Sequence, residues 1–284
     1  MLEVRRATVN SSCVLYKTTF RGRSAGNVLK FPAMNRDPAR PSFRVASPTF
    51  SPLYRQIKEF MIRSLEAGEW GPGDAIPSEG ELAARFNVSQ GTVRKAIDEM
   101  AAENLLIRRQ GKGTFVASHD DPRSFYRFLR LVPDDGNAAQ AVSVPLSCST
   151  KNADAEVAAA LGLKLGDPVI YVERLLRFNG ETVVFDQIHL VSDLFAGLTL
   201  ESLSGGGRSL YSLFENDYGV RMIHAEEHLR AVAADPYRAG LLAVPSGSPL
   251  LLVERTAYTY GNKPVEWRRG LYCTNRHYYR NDLG

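Results

Sequence analysis

Two groups of side chains in this 284-residue chain have types and spacing suited to a polyanion, and a third has the spacing of a metal site. The first group, Gln90, Gly91, Arg94 and Lys95, follows Ser89 and would project from the first turn and a half of a helix, where side chains must sit if a helix end is to enter a DNA major groove. In the second, Arg108-Arg109-Gln110-Gly111-Lys112-Gly113, two glycines permit a tight turn and close approach to phosphate, and the cations supply charge. His224-Ala225-Glu226-Glu227-His228 matches the H-x-x-E-H spacing of an inverted zinc-protease motif. That chemistry needs a helix. Here Ile223, Ala225, Leu229 and Ala231 alternate with polar residues as in a strand, and no third ligand follows, so no catalytic or metal-binding residue and no cofactor is expected. His189 and His277 stand alone and read as hydrogen-bonded surface or pocket-edge residues. Gly205-Gly206-Gly207 lacks the Lys-Ser/Thr of a phosphate loop and reads as a flexible loop.

The elements that would position the first two groups are signalled locally. Ser78 with Glu81 forms a capping box before a short helix carrying Leu82, Ala83 and Phe86; Asn87-Val88 turns the chain into Ser89, a second N-cap. Val93, Ala96, Ile97 and Met100 then fall on one face of the next helix, and Ile107–Arg109 and Thr114–Val116 read as two short strands of a glycine-tipped wing. Upstream, Pro52 precedes a helix from Leu53 to Ala67 whose packed face is expected to hold Leu53, Ile57, Phe60, Met61 and Leu65. Trp70, in the breaker run Gly68 to Gly73, is expected at the core edge.

Composition bounds the rest. Hydrophobic residues make up 44% of the chain, enough for two domains, and no run approaches a membrane span of about 20 apolar residues. Three separated cysteines, Cys13, Cys148 and Cys273, fit reduced thiols in a cytoplasm. The net charge of +4 lies mostly in residues 1–46, which show no periodicity. Three readings of that stretch stand: a start placed too far upstream of Met34, a basic arm adding DNA affinity, or a transit-type leader. Polar residues from Ala117 to Ala141 read as a linker, interrupted by Phe125, Tyr126, Phe128 and Leu129, an apolar cluster expected to open the second domain as a strand.

Beyond the linker the sequence repeats itself. Gly166-Asp167-Pro168 through Glu173-Arg174 recurs as Gly247-Ser248-Pro249 through Glu254-Arg255, and at the same offset Leu161 answers Leu242 and Gly180 answers Gly261. Each unit reads as a helix, a Gly/Pro turn, a strand, a tight turn and a returning strand. Two such units can pair into one antiparallel sheet with helices on a face, and the cleft between them is a natural ligand site.

The stretch from Pro77 to Val116, with Ser78-Glu79, Val88-Ser89, Thr92-Val93-Arg94 and Gly111 to Val116, resembles the winged helix-turn-helix of GntR-type bacterial transcriptional regulators. By that resemblance, DNA contacts fall to Gln90, Gly91, Thr92 and Arg94 with Ser89 and Lys95 beside them, and to Gln110, Gly111 and Lys112 on the wing. Gly80 and Gln90 stand where many members carry arginine. From Ala141 onward, Glu173-Arg174, Asn179-Gly180-Glu181, Ser209-Leu210-Tyr211, Glu254-Arg255 and Pro264-Val265-Glu266 resemble the UTRA effector-binding domain of the HutC subfamily, whose fold is like chorismate lyase. The resemblance carries effector contacts to Arg174, Asp186, Ser209, Tyr211, Glu266 and Tyr272. Leu176 replaces a second arginine found in sugar-phosphate sensors, for which Arg177 could partly substitute. Arg174, Asp186, Glu266 and Tyr272 lie on strands of the two units, where they could form a mixed-charge pocket for a small zwitterion or carboxylate; alternatively, Arg174 and Glu266 pair with each other or with Asp186 and Arg255 as structural salt bridges.

The expectation is therefore an α+β chain: an extension over 1–48, a winged helix-turn-helix over 49–118, a linker over 119–140 and an effector domain over 141–284. Its expected partners are double-stranded DNA carrying an inverted repeat, a small-molecule effector and a second copy of itself, with no membrane. Two other classes remain open: an enzyme using the lyase-like fold, and an architectural DNA-binding protein without an effector.

Overall fold

The computed structural model describes residues 51–121, 128–136, 141–205 and 208–281. Residues 1–48, Cys13, Phe125, Tyr126, Gly206 and Gly207 lie outside the described residues, and with them the three readings of the N-terminal stretch.

Three helices build the N-terminal part: α1 (Leu53–Glu66), α2 (Glu79–Phe86) and α3 (Gln90–Ala102). Both halves of the expected capping box form at Ser78 and Glu81, and Ser89 caps α3 by accepting from Thr92 N–H. Asn87 ends α2 at φ 53°, a left-handed conformation that asparagine tolerates, and so makes the turn between the two helices. Strands β1 (Leu106–Arg109) and β2 (Gly113–Val116) pair antiparallel, with Gly111 and Gly113 at positive φ in the tip. Residues 73–76 lie along β2, through bonds Ile76 N–H to Thr114 O of 2.9 Å and Val116 N–H to Asp74 O of 2.8 Å. Ile57, Met61, Leu65, Trp70, Leu82, Val93, Ile97 and Met100 share one core. Leu53 and Phe60 do not join it: they are 50% and 48% exposed, because the packed face of α1 is narrower than the apolar pattern implied. Phe60 stacks instead on Phe86 at the surface.

The C-terminal part is a six-stranded antiparallel sheet of β4 (Ala141–Asn152), β5 (Pro168–Phe178), β6 (Glu181–Val191), β7 (His224–Ala233), β8 (Pro249–Thr259) and β9 (Lys263–Tyr272), in the order β4-β5-β6-β9-β8-β7. Each repeat unit contributes a helix, α4 (Ala155–Leu161) and later α7 (Pro236–Leu242), and the β6–β9 ladder joins the two units. The likeness extends to irregularities: a register shift falls between Leu176 and Arg177 in one hairpin and between Ala257 and Tyr258, the matching residues, in the other.

Between the units run α5 (Leu200–Ser204) and α6 (Leu210–Tyr218); Tyr211 and Phe214 of α6 pack on Ile170, Val172, Ile188 and Leu190 of the sheet. The expected strand at Phe128 and Leu129 is displaced. Phe128 is helical, and the strand β3 begins at Leu131, within the expected linker, running to Pro133 against β10 (His277–Tyr279). Tertiary pairing with the C-terminal segment, which no local pattern signals, sets that position. The segment His224 to His228 lies in β7 as the alternation predicts, and no cluster of metal-ligating side chains occurs among the described residues.

Candidate nucleic-acid interface and buried ionic site

The N-terminal end of α3 and the wing present one polar surface. Ser89, Gln90, Gly91, Arg94, Lys95, Gln110, Gly111 and Lys112 are all exposed, and Thr92 is half-buried because its hydroxyl lies 2.9 Å from Ser89 Oγ at the cap. A Cβ on Gly80 would come 3.3 Å from Gln90 Nε2, so the two positions where arginine is absent are neighbours in space. Lys95 Nζ sits 4.0 Å from the Tyr54 ring centroid. Arg94 and Arg108 converge on one carboxylate, Glu79 of α2, with Arg94 Nη2 to Oε2 at 2.8 Å and Arg108 Nη1 to Oε1 at 3.1 Å. These bonds hold the Glu79 carboxyl below its ordinary range, with the Arg94 hydrogen bond the largest cause.

The second site is buried, and the ladder registers assemble it. Directly paired residues share a face of a sheet, so Arg174 opposite Asp186, Asp186 opposite Gly270, and Arg268 opposite Arg255, itself opposite Glu227, form one stripe across five strands. Arg174 Nη2 reaches Asp186 Oδ2 at 2.8 Å, and Arg268 Nη1 reaches the same oxygen at 3.2 Å. Arg268 also grips Glu266 with two bonds of 2.9 Å, and Tyr211 OH donates to Glu266 Oε1 at 2.9 Å. Arg255 donates to Glu227 Oε1 at 2.7 Å and to the Phe128 carbonyl, while Tyr279 donates to Glu227 Oε2. Burial lowers the Arg174 pKa, reinforced by Arg268 nearby. Burial likewise pushes Tyr211 and Tyr272 up to about 12, so both keep their protons at neutral pH.

One acceptor in the stripe is left over. Asp186 is fully buried and its Oδ1 has no hydrogen-bond partner. A Cβ on Gly270 would lie 2.8 Å from that oxygen and 2.5 Å from Tyr272 Cε2, so only glycine fits at that position.

Arg174, Asp186, Tyr211, Glu266 and Tyr272 are thus brought together, as the strand positions implied. Ser209 is not in the stripe: its hydroxyl accepts from Ser212 N–H and caps α6. Arg177 is exposed at the end of β5, beyond the register shift, and does not replace the arginine missing at Leu176, which is buried among apolar residues. Arg268 and Glu227 were missed by sequence reasoning, which names Arg255 only as a salt-bridge partner for Arg174 or Glu266. The i, i+2 spacing of Glu266 and Arg268 on one strand face was the available signal.

A third polar cluster connects α6 to the recognition helix. Arg221, nearly fully buried, donates to the carbonyls of Asn104 at 3.3 Å and Leu105 at 3.5 Å just past the end of α3, and pairs with Glu215 Oε1 at 3.3 Å. A cation at a helix C-terminus is electrostatically favoured. Glu215 accepts from Ser118 Oγ at 2.7 Å and His119 N–H at 2.8 Å, and burial raises its pKa. His119 Nε2 lies 3.0 Å from the Met222 carbonyl and its ring packs against Tyr211. Asp120 accepts from Ser212 and from Asn216. Tyr211, Ser212, Glu215 and Asn216 form two i, i+4 pairs on one helix, so a single helix touches both the stripe and the segment leaving the wing.

Comparison with known proteins agrees with this geometry. The family model for bacterial regulatory proteins of the gntR family matches residues 53–116, and the UTRA domain model matches residues 140–278. The uncharacterized HTH-type transcriptional regulator YurK of Bacillus subtilis is 30% identical over 229 residues, covering 80% of this chain and 93% of YurK. The chain belongs to the GntR family of bacterial regulatory proteins. The histidine utilization repressor of Pseudomonas putida is 26% identical over 229 residues, covering 80% of this chain and 90% of that protein. Among solved structures, a ligand-binding domain assigned to a GntR-family regulator of Bordetella bronchiseptica is 48% identical with a TM-score of 0.55, covering 56% of this chain and 99% of that domain. This GntR chain is accordingly a DNA-binding transcriptional regulator with a UTRA effector-binding domain. No helix of the described residues is long and apolar enough to cross a membrane.

Proposed function

We propose that this regulator is a cytoplasmic homodimeric repressor that reads an inverted-repeat operator and is released or retained by a small effector bound at the buried stripe. The contacts assigned to DNA are Ser89, Gln90, Gly91, Thr92, Arg94 and Lys95 on α3 and Gln110, Gly111 and Lys112 on the wing. One recognition helix reads only a few base pairs, and two in successive grooves multiply affinity. Repression is carried over from the histidine utilization repressor of Pseudomonas putida.

Effector control rests on the polar chain through α6: Glu266 to Tyr211, Tyr211 against His119, Glu215 to Ser118 and His119, and Arg221 to the end of α3. A ligand that competes for Glu266 or Asp186 alters the seat of α6, and α6 holds the segment that leaves the reader. Coupling requires that the ligand bind one arrangement better than the other. The stripe holds three guanidiniums and three carboxylates, so a phosphate dianion has no spare fork to occupy. A zwitterion or carboxylate with an N–H or O–H for Asp186 Oδ1 fits better. Arg174, Asp186, Tyr211, Glu266 and Tyr272 carry that site, which we read as a sensor and not a catalytic centre.

DNA selected by the protein from a random duplex pool supplies an operator probe, and a thermal-shift screen of amino-acid catabolites and carboxylic acids supplies a ligand. Arg94→Ala should lose the selected DNA while keeping the ligand-induced shift; retained affinity rejects the reader assignment. Tyr211→Phe, which keeps the packed ring, should bind the DNA normally and respond weakly to the ligand. A full response removes Tyr211 from the site.

A further inference from the structure

Glu79 places a negative charge on the surface that faces DNA, where simple electrostatics predicts a penalty against a polyanion. Its geometry is that of a bridge between three elements. It is the first residue of α2, anchored by the Ser78 and Glu81 capping box, and its side chain is only 20% exposed. Oε2 accepts Arg94 Nε at 2.9 Å and Nη2 at 2.8 Å from α3, while Oε1 accepts Arg108 Nη1 at 3.1 Å from the wing. Arg108 Nη2 continues to Asp98 Oδ1 of α3 at 2.7 Å. Both guanidiniums still face water, with Arg94 62% and Arg108 44% exposed, so each keeps N–H groups for another acceptor.

We propose that Glu79 is a positioning residue of the DNA surface, holding Arg94 and Arg108 as a pre-ordered pair across the groove between the recognition helix and the wing. An unconstrained arginine surrenders considerable rotamer freedom when it binds, and a side chain already fixed surrenders less. The carboxylate therefore favours the one DNA geometry that matches the fixed pair while disfavouring DNA in general. This inference rests on the DNA reading of α3 and the wing.

The two roles predict opposite signs. Glu79→Gln is titrated by fluorescence anisotropy against DNA selected by the wild-type chain and against a scrambled duplex, at low and moderate salt. Affinity for the selected DNA should fall about tenfold while affinity for the scrambled duplex stays equal or rises, so the specificity ratio falls by more than tenfold. In an Arg108→Ala background the same substitution should have a smaller effect, since half of what Glu79 holds is gone. Tightening on both duplexes means that Glu79 acts only as a repulsive charge, and overturns the inference. Equal weakening on both, with a lowered melting temperature, means a structural role and overturns it too. Arg94→Ala separates the two levels: if it loses the selected DNA while Glu79→Gln does not, the DNA reading stands and this inference fails. If the wild-type chain enriches no sequence, both fail.

Discussion

Two of the arginine–carboxylate clusters among the described residues have similar chemistry and opposite exposure. On the reader, Glu79 holds Arg94 and Arg108 at the surface; in the sheet, Asp186 and Glu266 hold Arg174 and Arg268 out of water. Exposed pairs contribute little to stability, and their arginines, held on one side by the carboxylate, keep solvent-facing N–H groups for a phosphate. Buried pairs have lost their hydration, and removing one partner leaves a charge that nothing else satisfies. One cluster can therefore be recruited directly, whereas the other can be rearranged only by a ligand that replaces what it disturbs.

The largest expected effect comes from breaking the buried cluster. Asp186→Ala leaves Arg174 and Arg268 facing each other, and should destabilise the chain by about 3–5 kcal/mol in urea or thermal melts. The equivalent Glu79→Ala should barely move the melting temperature, and equal losses from the two would erase the contrast. Gly270→Ala probes the same stripe sterically. Its Cβ would meet the Tyr272 ring and Asp186, costing about 1–3 kcal/mol and weakening any ligand shift, whereas an unchanged melt would show that Tyr272 is free to move.

A smaller effect should come from the opposite sheet face, where His189 lies between Tyr171 and Trp267 with Nδ1 unpartnered. Burial lowers its pKa to about 4. The unfolded chain binds that proton first, so His189 contributes stability above pH about 6.5 that is lost as pH falls toward 4. Allowing for its solvent-facing edge, His189→Asn should recover about 1–2 kcal/mol of that acid loss, measured as the difference between wild-type and variant melts from pH 7 to pH 4. The smallest change is on the wing. Lys112→Ala should weaken binding to all duplexes alike and reduce the salt slope by about one, and a sequence-dependent loss would make Lys112 a base reader.

Much of the reader was legible because its signals are local. A capping box, a left-handed Asn87, the spacing of Val93, Ala96, Ile97 and Met100, and glycines at a wing tip each act within a few residues. The buried ionic stripe was half legible. Arg174, Asp186, Glu266 and Tyr272 could be placed on strands of a repeat, but not their partners. Counting outward from the turn at Asn179-Gly180 puts Arg174 opposite Phe185; the register shift after Leu176 moves Asp186 there instead. The matching shift after Ala257 sets Arg255 opposite Arg268.

By itself, then, the sequence determined the two kinds of domain, the repeat and which face of α3 is packed and which is exposed, since caps, turns and periodicity are short-range properties of the chain. Only the tertiary structure decided which charges pair, that Glu79 serves two arginines at once, and that Arg221 reaches from behind α6 to the end of the recognition helix. Those pairings join residues far apart in sequence, and what selects them is the cost of burying a charge without its partner, a cost that exists only after the chain has folded.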